Sequence, residues 1–99
     1  MILEQAVLDV LLNKQQEFEQ AFQLAQKIIA AMPGYISHEL SKCIETDGCY
    51  FLLVKWQTLE DHTIGFRKSA EYQKWKALLH HFYEPFPVVE HYQPLQLKI

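Results

Sequence analysis

The segment CYFLLVKW, at positions 49–56, is the feature that most constrains the fold of this chain. Thr46-Asp47-Gly48 precedes it and is typical of a hairpin turn, so Tyr35–Glu45 and Cys49–Gln57 are predicted to pair as antiparallel strands. An antiparallel strand with one wet face should alternate apolar and polar residues, whereas this one is nearly all apolar. Since one set of helices in 99 residues covers only one face, a second copy of the chain is predicted to cover the other.

The first third of the chain predicts a strand followed by a long helix. Ile2–Leu12 is apolar and β-branched, as expected of a strand. Asn13 is predicted to cap the helix, with Gln16 in the capping-box position, and Pro33-Gly34 to end it. The apolar stripe of this helix recurs every three or four residues, at Phe18, Ala21, Phe22, Ala25, Ile28, Ile29 and Met32.

The last third predicts a second helix and a fourth strand. Thr58 is predicted to cap a short helical turn, with Asp61 at its third position, and Ser69 to cap a helix from Ala70 to about Phe82. Glu84–Pro87 breaks that helix before a strand from Val88 to about Tyr92. The order βαββαβ predicts one α+β domain over residues 1–99, a ferredoxin-like four-stranded antiparallel sheet with both helices on one face.

Composition narrows the classes of partner. The net charge is −3 and the Lys and Arg residues are scattered, so no basic face is predicted for nucleic acid. The N-terminal residues lack a basic stretch followed by a long apolar run, so we expect a cytoplasmic protein with no membrane contact. Cys43 and Cys49 are too few for a disulfide framework and are expected to be reduced.

Five histidines are the first candidates for chemistry: His38, His62, His80, His81 and His91. None has the spacing of a zinc site, so no metal is predicted. Each, taken alone, fits a hydrogen-bonded histidine at the end of an element. His38 and His91 lie on predicted edge strands and would share a pocket only if a helix or the dimer brings them together.

The segment WQTLEDHTIGFR holds the densest group of candidate site residues, Trp56, His62, Phe66 and Arg67. His62 and Phe66 are four apart and face the same way on a helix. Trp56 and Phe66 either flank a flat aromatic ligand, with His62 as hydrogen-bond donor or base, or pack in the core. Tyr72 and Trp75 carry the same two interpretations. No Ser-His-Asp order, P-loop or dinucleotide glycine pattern is present.

Four segments resemble the antibiotic biosynthesis monooxygenase family: AAMPGYISHEL, FLLVKW, WQTLEDHTIGFRKSAEYQKW and PFPVVEHYQPL. The resemblance implies a homodimer, a dimeric α+β barrel in which each subunit keeps a pocket for a small hydrophobic or aromatic ligand between helices and sheet. It also implies oxidation of phenolic or quinol-like compounds by O₂ without metal, flavin or other cofactor. His62 would then be the base or hydrogen-bond donor, and Arg67 either an anion partner or a solvated helix-end charge.

A haem-degrading subgroup of that family offers an alternative. It uses an Asn on the first strand and a ligand His on the second helix; here the strand has no Asn, and the ligand position falls near Trp75, with His80 more than a turn later. The sequence therefore predicts a cofactor-independent monooxygenase or quinol oxidase. The alternatives are a non-catalytic dimeric ligand-binding or stress-response module and a haem-binding or haem-degrading protein.

Overall fold

A computed structural model describes residues 1–99, and its elements follow the predicted βαββαβ order. Short non-α turns join the principal helices and strands: a 3-10 turn at Leu12–Lys14, a π-helical turn at Asp61–Phe66 and a 3-10 turn at His80–Phe82. The principal elements are β1 (Ile2–Asp9), α1 (Gln15–Ala30), β2 (Tyr35–Lys42), β3 (Cys49–Trp56), α2 (Ala70–Leu79) and β4 (Val89–Tyr92).

The four strands form one antiparallel sheet in the order β2-β3-β1-β4. β1 pairs with β3 from Ile2 opposite Trp56 to Asp9 opposite Cys49. On its other side β1 pairs with β4, with Glu4 opposite His91. The predicted ferredoxin-like α+β fold, with its first and third strands central, is confirmed.

The core lies between the sheet and the helices. On β3 the inward side chains Tyr50, Leu52, Val54 and Trp56 are buried. They pack with Phe18 of α1 and with the other apolar residues of one buried cluster. Because successive strand residues point to opposite faces, the other half of β3 points away from this core. The apolar residues of β3 therefore alternate between the core and the outer face of the sheet.

The outer face of the sheet has no cover from the chain itself. Val7 and Phe51 pair across β1 and β3 and stay 41% and 37% exposed. Leu3 and Leu53 lie on the same face by strand alternation and are half-buried. A patch of apolar side chains in the middle of a sheet is the surface on which a partner would be expected.

Two predictions at the start of α1 are wrong. β1 ends at Asp9 and not at Leu12, because the chain turns toward another segment: Val10 still donates to the carbonyl of Gly48 opposite it, but it also bridges to Tyr83, and the N–H of Leu11 donates to the carbonyl of Phe82. Asn13 does not cap α1; it lies within the 3-10 turn, and α1 begins at Gln15 with no side-chain cap.

Other boundaries move by a few residues. β2 ends at Lys42 and not at Glu45, because the hairpin closes early through the N–H of Cys43, which donates to the carbonyl of Cys49 at 2.8 Å. α2 is α-helical only to Leu79, and β4 begins at Val89. Neither cysteine is in a disulfide. No helix combines the length and the apolar character needed to cross a membrane.

Both predicted caps around the π-helical turn are confirmed. The hydroxyl of Thr58 accepts from the N–H of Asp61 at 3.2 Å, while the carboxylate of Asp61 accepts from the N–H of Thr58 at 3.1 Å, a capping box. The hydroxyl of Ser69 accepts from the N–H of Tyr72 at 3.0 Å and caps α2. These caps fix the segment that carries His62 and Arg67 between two rigid elements.

Candidate functional site

A cavity of about 390 Å³ lies between the inner face of the sheet and α2. Such a volume is within the range of small-molecule sites. Its walls are mainly apolar and aromatic, with Glu4, His62, Arg67 and His80 as the residues that carry charged or imidazole groups. The other lining residues are Ala6, Leu8, Phe22, Leu52, Phe66, Tyr72, Trp75, Leu79, Tyr83, Phe86, Pro87 and Val89.

Four side chains form a hydrogen-bonded cluster at one wall of the cavity: the buried Glu4, Trp56 and His62 and the half-buried His91. We call this group the Glu4 cluster. The indole N–H of Trp56 donates to Oε1 of Glu4 at 2.9 Å. The same oxygen lies 3.3 Å from Nε2 of His62. Nδ1 of His62 is hydrogen-bonded to Nε2 of His91 at 2.8 Å. The cluster thus runs from the cavity wall to the strand at the edge of the sheet.

Each member of the cluster reaches it through a different element. Glu4 lies on central β1, in phase with the buried Ala6 and Leu8. His62 comes from the π-helical turn that the Thr58–Asp61 capping box holds. His91 lies opposite Glu4 on β4. Antiparallel pairing of β1 with both of its neighbours therefore assembles the cluster from distant parts of the chain.

Burial shifts the proton affinities of the cluster in opposite directions. Glu4 is 6% exposed, and this burial raises its pKa to about 7, although the Trp56 hydrogen bond and the positive charge of Arg67 act to lower it. His62 is 3% exposed, and burial, assisted by Arg67 and His91, lowers its pKa to about 3. At neutral pH the imidazole is therefore uncharged, and the carboxyl group exchanges its proton close to the ambient pH.

Arg67 supplies the positive charge at the mouth of the cavity. Its side chain borders the cavity but is exposed, and no salt bridge of the chain includes it. Burial lowers the pKa of His80, which borders the same cavity, so that this imidazole is not a competing cation at neutral pH. The electrostatics of the mouth therefore favour a ligand with a negative or ionisable oxygen.

The residues predicted for a site fall into three groups. Phe66, Tyr72 and Trp75 line the cavity together with His62 and Arg67. Two predicted residues, Trp56 and His91, lie behind this wall. Trp56 is fully buried and stacks on the His62 ring with 5.5 Å between the ring centroids, and His91 is hydrogen-bonded to His62. The prediction that Trp56 and Phe66 flank a flat ligand is therefore wrong for Trp56, which packs in the core.

His38 lies elsewhere. It is on the opposite edge strand, where its ring is hydrogen-bonded to the Tyr35 hydroxyl and to the side chain of Gln26. It borders a separate groove between α1 and β2. No helix of the chain brings His38 and His91 into one pocket.

Sequence reasoning missed Glu4, the most buried carboxyl group of the chain. The available signal was a charged residue at an inward position of a strand, since Glu4, Ala6 and Leu8 share one face by alternation. A buried carboxyl group at such a position needs polar partners. No group of three or more His, Cys, Asp or Glu side chains is arranged to hold a metal ion.

Fold and cavity together define a small ferredoxin-like α+β protein with a ligand-sized site between sheet and helices. The antibiotic biosynthesis monooxygenase family model matches residues 1–78, and the chain belongs to this family. The uncharacterised protein YczJ of Bacillus subtilis (strain 168) is 60% identical over 93 residues, which are 94% of this chain and 98% of YczJ.

Solved structures give the same fold. A candidate antibiotic biosynthesis monooxygenase from Bordetella bronchiseptica matches with a TM-score of 0.91 and 29% identity, over 96% of this chain and 97% of that one. SnoaB of Streptomyces nogalater, described as a cofactor-independent oxygenase, matches with a TM-score of 0.83 and 16% identity, over 97% and 94% of the two chains. At that identity the likeness to SnoaB concerns the fold.

Proposed function

We propose that this protein is a cofactor-independent monooxygenase or quinol oxidase that acts on a small phenolic or quinol-like aromatic compound. The observation that carries the proposal is the aromatic cavity with a buried acid–base cluster in its wall and a positive charge at its mouth. Membership of the antibiotic biosynthesis monooxygenase family supports it. The description of SnoaB as a cofactor-independent oxygenase is consistent with it.

The geometry suits a substrate that must lose a proton before it reacts with O₂. Phe66, Tyr72 and Trp75 offer ring faces and edges to a flat ligand. The Glu4 cluster takes the proton of the substrate hydroxyl, and Arg67 stabilises the resulting anion. The anion is then oxidised as O₂ is reduced, so the protein has to bind, deprotonate and shield it.

Oxygen consumption tests this proposal. Purified protein is incubated with a panel of hydroquinones, naphthols and anthrones under air, and uptake of O₂ is followed with an electrode. We expect turnover on at least one compound and a loss of about 100-fold in His62→Ala, because this substitution removes a member of the cluster that takes the proton. His81→Ala is the matched control, because His81 is exposed and lies outside the cavity.

The possible outcomes separate the functions. Unchanged turnover in His62→Ala would remove the cluster from the mechanism. Binding of panel compounds without any O₂ uptake would instead favour a binding module, and a Soret shift on titration with haem would favour the haem-binding alternative.

We further propose that the protein is a homodimer that joins through the outer face of the sheet. Val7 and Phe51 are exposed in the middle of this face, whereas central sheet positions of a stable domain are normally covered. A 99-residue chain also buries a modest share of its surface by itself, so a partner adds considerable stability. The helices and the cavity lie on the other face and stay free to bind a ligand.

Phe51→Lys should convert this dimer into monomers. Two symmetric copies of the substitution would bring unpaired charges into an apolar interface, which costs several kcal/mol. Light scattering coupled to size-exclusion chromatography at micromolar concentration measures the mass. Ile44→Lys is the control, because Ile44 is 93% exposed in the hairpin loop. A wild-type protein that runs only as a monomer would refute the dimer.

A further inference from the structure

His62 has no ring nitrogen free for a substrate. Nδ1 is hydrogen-bonded to His91 at 2.8 Å, and Nε2 lies 3.3 Å from Oε1 of Glu4. One face of the ring stacks on Trp56, with the planes inclined by 22°. A general base must reach the proton that it removes, so this arrangement leaves His62 badly placed to be that base.

Glu4 has the access that His62 lacks. Its carboxyl group borders the cavity, and Oε1 accepts the hydrogen bond from Trp56. Oε2 has no hydrogen-bond partner within the chain, although the carboxyl group is almost completely buried. Oε2 is not among the fully buried side-chain atoms that lack a partner, so it keeps a small accessible surface, and the cavity that Glu4 borders is where a ligand hydroxyl group would reach it.

The groups around Glu4 come from four elements. Trp56 approaches from β3, His62 and Arg67 from the π-helical turn and the residue after it, Tyr72 from α2 and His91 from β4. Arg67 is the charged member of this surrounding set at neutral pH, because burial lowers the pKa of both imidazoles and raises that of Tyr72. The surroundings thus contain one cation that can stabilise an anion on either Glu4 or the ligand.

We infer that Glu4 is the catalytic base that takes the proton of the substrate hydroxyl group, and that two positioning residues act behind it: His62 holds its carboxyl group, and His91 holds His62. In this step the O–H bond of the phenol breaks and an O–H bond forms at Oε2 of Glu4. The negative charge moves from the carboxylate to the phenolate oxygen, and no atom is oxidised or reduced. The inference rests on the proposed function for its biological role, but the proton transfer itself does not require O₂.

The pKa of Glu4 agrees with this role. A general base is most efficient when its pKa lies near the working pH, and burial raises that of Glu4 to about 7. His62, whose pKa burial lowers to about 3, would be a weak proton acceptor.

Proton counting with 4-nitrophenol tests the inference without relying on oxygenase activity. This phenol is yellow only when ionised, and at about pH 8 both it and Glu4 are mostly ionised when apart. If Glu4 holds the proton, binding should take up about one proton per ligand while the bound ligand stays yellow. Calorimetry in buffers of different ionisation enthalpy counts the protons, and absorbance reports the ionisation state of the ligand.

Glu4→Gln keeps the shape of the side chain but cannot accept the proton. We expect it to bind the yellow form with no proton uptake and, in the O₂ assay, to lose about 100-fold in turnover together with the rise in kcat/KM through about pH 7. Glu17→Gln, at an exposed position of α1, is the matched control. His62→Phe should lower turnover but keep the rise with pH, because the base itself remains.

Three results would overturn the inference: a colourless bound ligand in the wild type, equal proton uptake in Glu4→Gln, or failure of the wild type to bind 4-nitrophenol. If proton uptake behaves as expected but no compound consumes O₂, the proposed oxygenase function fails and Glu4 stands as the proton-accepting group of a binding site.

Discussion

Trp56→Ala should destabilise the fold by about 3–5 kcal/mol, the cost usual for removing a large buried aromatic side chain. Trp56 is fully buried, and its ring contacts Tyr35, His62 and Phe66 at centroid distances of 5.5–6.3 Å. Its loss also removes the hydrogen bond to Glu4. In a domain of this size we expect the melting temperature to fall by about 15 °C or more. Thermal and urea unfolding monitored by circular dichroism measure the effect.

Two further variants separate packing from hydrogen bonding. Trp56→Phe keeps most of the ring volume and should lose about 1–3 kcal/mol, the cost of leaving a buried carboxyl group without its donor. Phe86→Ala is the control, because Phe86 is 62% exposed and its loss should change stability by about 0.5 kcal/mol or less. Equal losses in Trp56→Ala and Phe86→Ala would contradict the central position of Trp56 in the core.

The stability of Glu4→Gln and of His62→Phe should depend on pH in opposite ways. The pKa of Glu4 is raised from 4.5 to about 7, so between these values the folded state binds more protons than the unfolded state, and the free energy of unfolding falls as pH rises. The pKa of His62 is lowered from 6.5 to about 3, so between these values the unfolded state binds more protons and the free energy of unfolding rises with pH. The two effects oppose each other in the wild type.

Each variant exposes the effect of the remaining partner. As pH rises from about 3 to about 6.5, the free energy of unfolding of Glu4→Gln should increase, because His62 remains. As pH rises from about 4.5 to about 7, the free energy of unfolding of His62→Phe should decrease, because Glu4 remains. Each change should be on the order of 3 kcal/mol or more. Urea unfolding at one protein concentration over this range measures both, since a dimer is sensitive to concentration. The other histidines are common to all variants. If both profiles match that of the wild type and of the Glu17→Gln control, the two groups do not titrate as buried partners.

Much of the fold could be predicted because its signals are local. The hairpin turn at 46–48, the capping box of Thr58 and Asp61, and the Ser69 cap depend on residues within a few positions of one another, and all appear in the structure. The wrong capping role for Asn13 shows the limit of such signals. There the backbone of residues 10 and 11 pairs with remote segments, and the helix starts later than its own sequence indicates.

The candidate site was predicted in part for the same reason. His62, Phe66 and Arg67 are close in sequence, so one segment was enough to group them, and Tyr72 and Trp75 follow on the next helix. Glu4 and Trp56 are 52 residues apart and meet only because β1 pairs with β3. No spacing rule connects a carboxyl group on the first strand to a histidine on a turn after the third.

The sequence by itself determined the element order, the caps at Thr58 and Ser69 and the two-faced apolar strand, since these follow from turn chemistry and from the alternation of side chains along the backbone. Only the tertiary structure decided which of the aromatic and histidine residues face the cavity and which stand behind it. It placed Trp56 behind His62 and Glu4 at the wall. The physical reason is that burial and proton affinity depend on groups that strand pairing brings together from opposite ends of the chain.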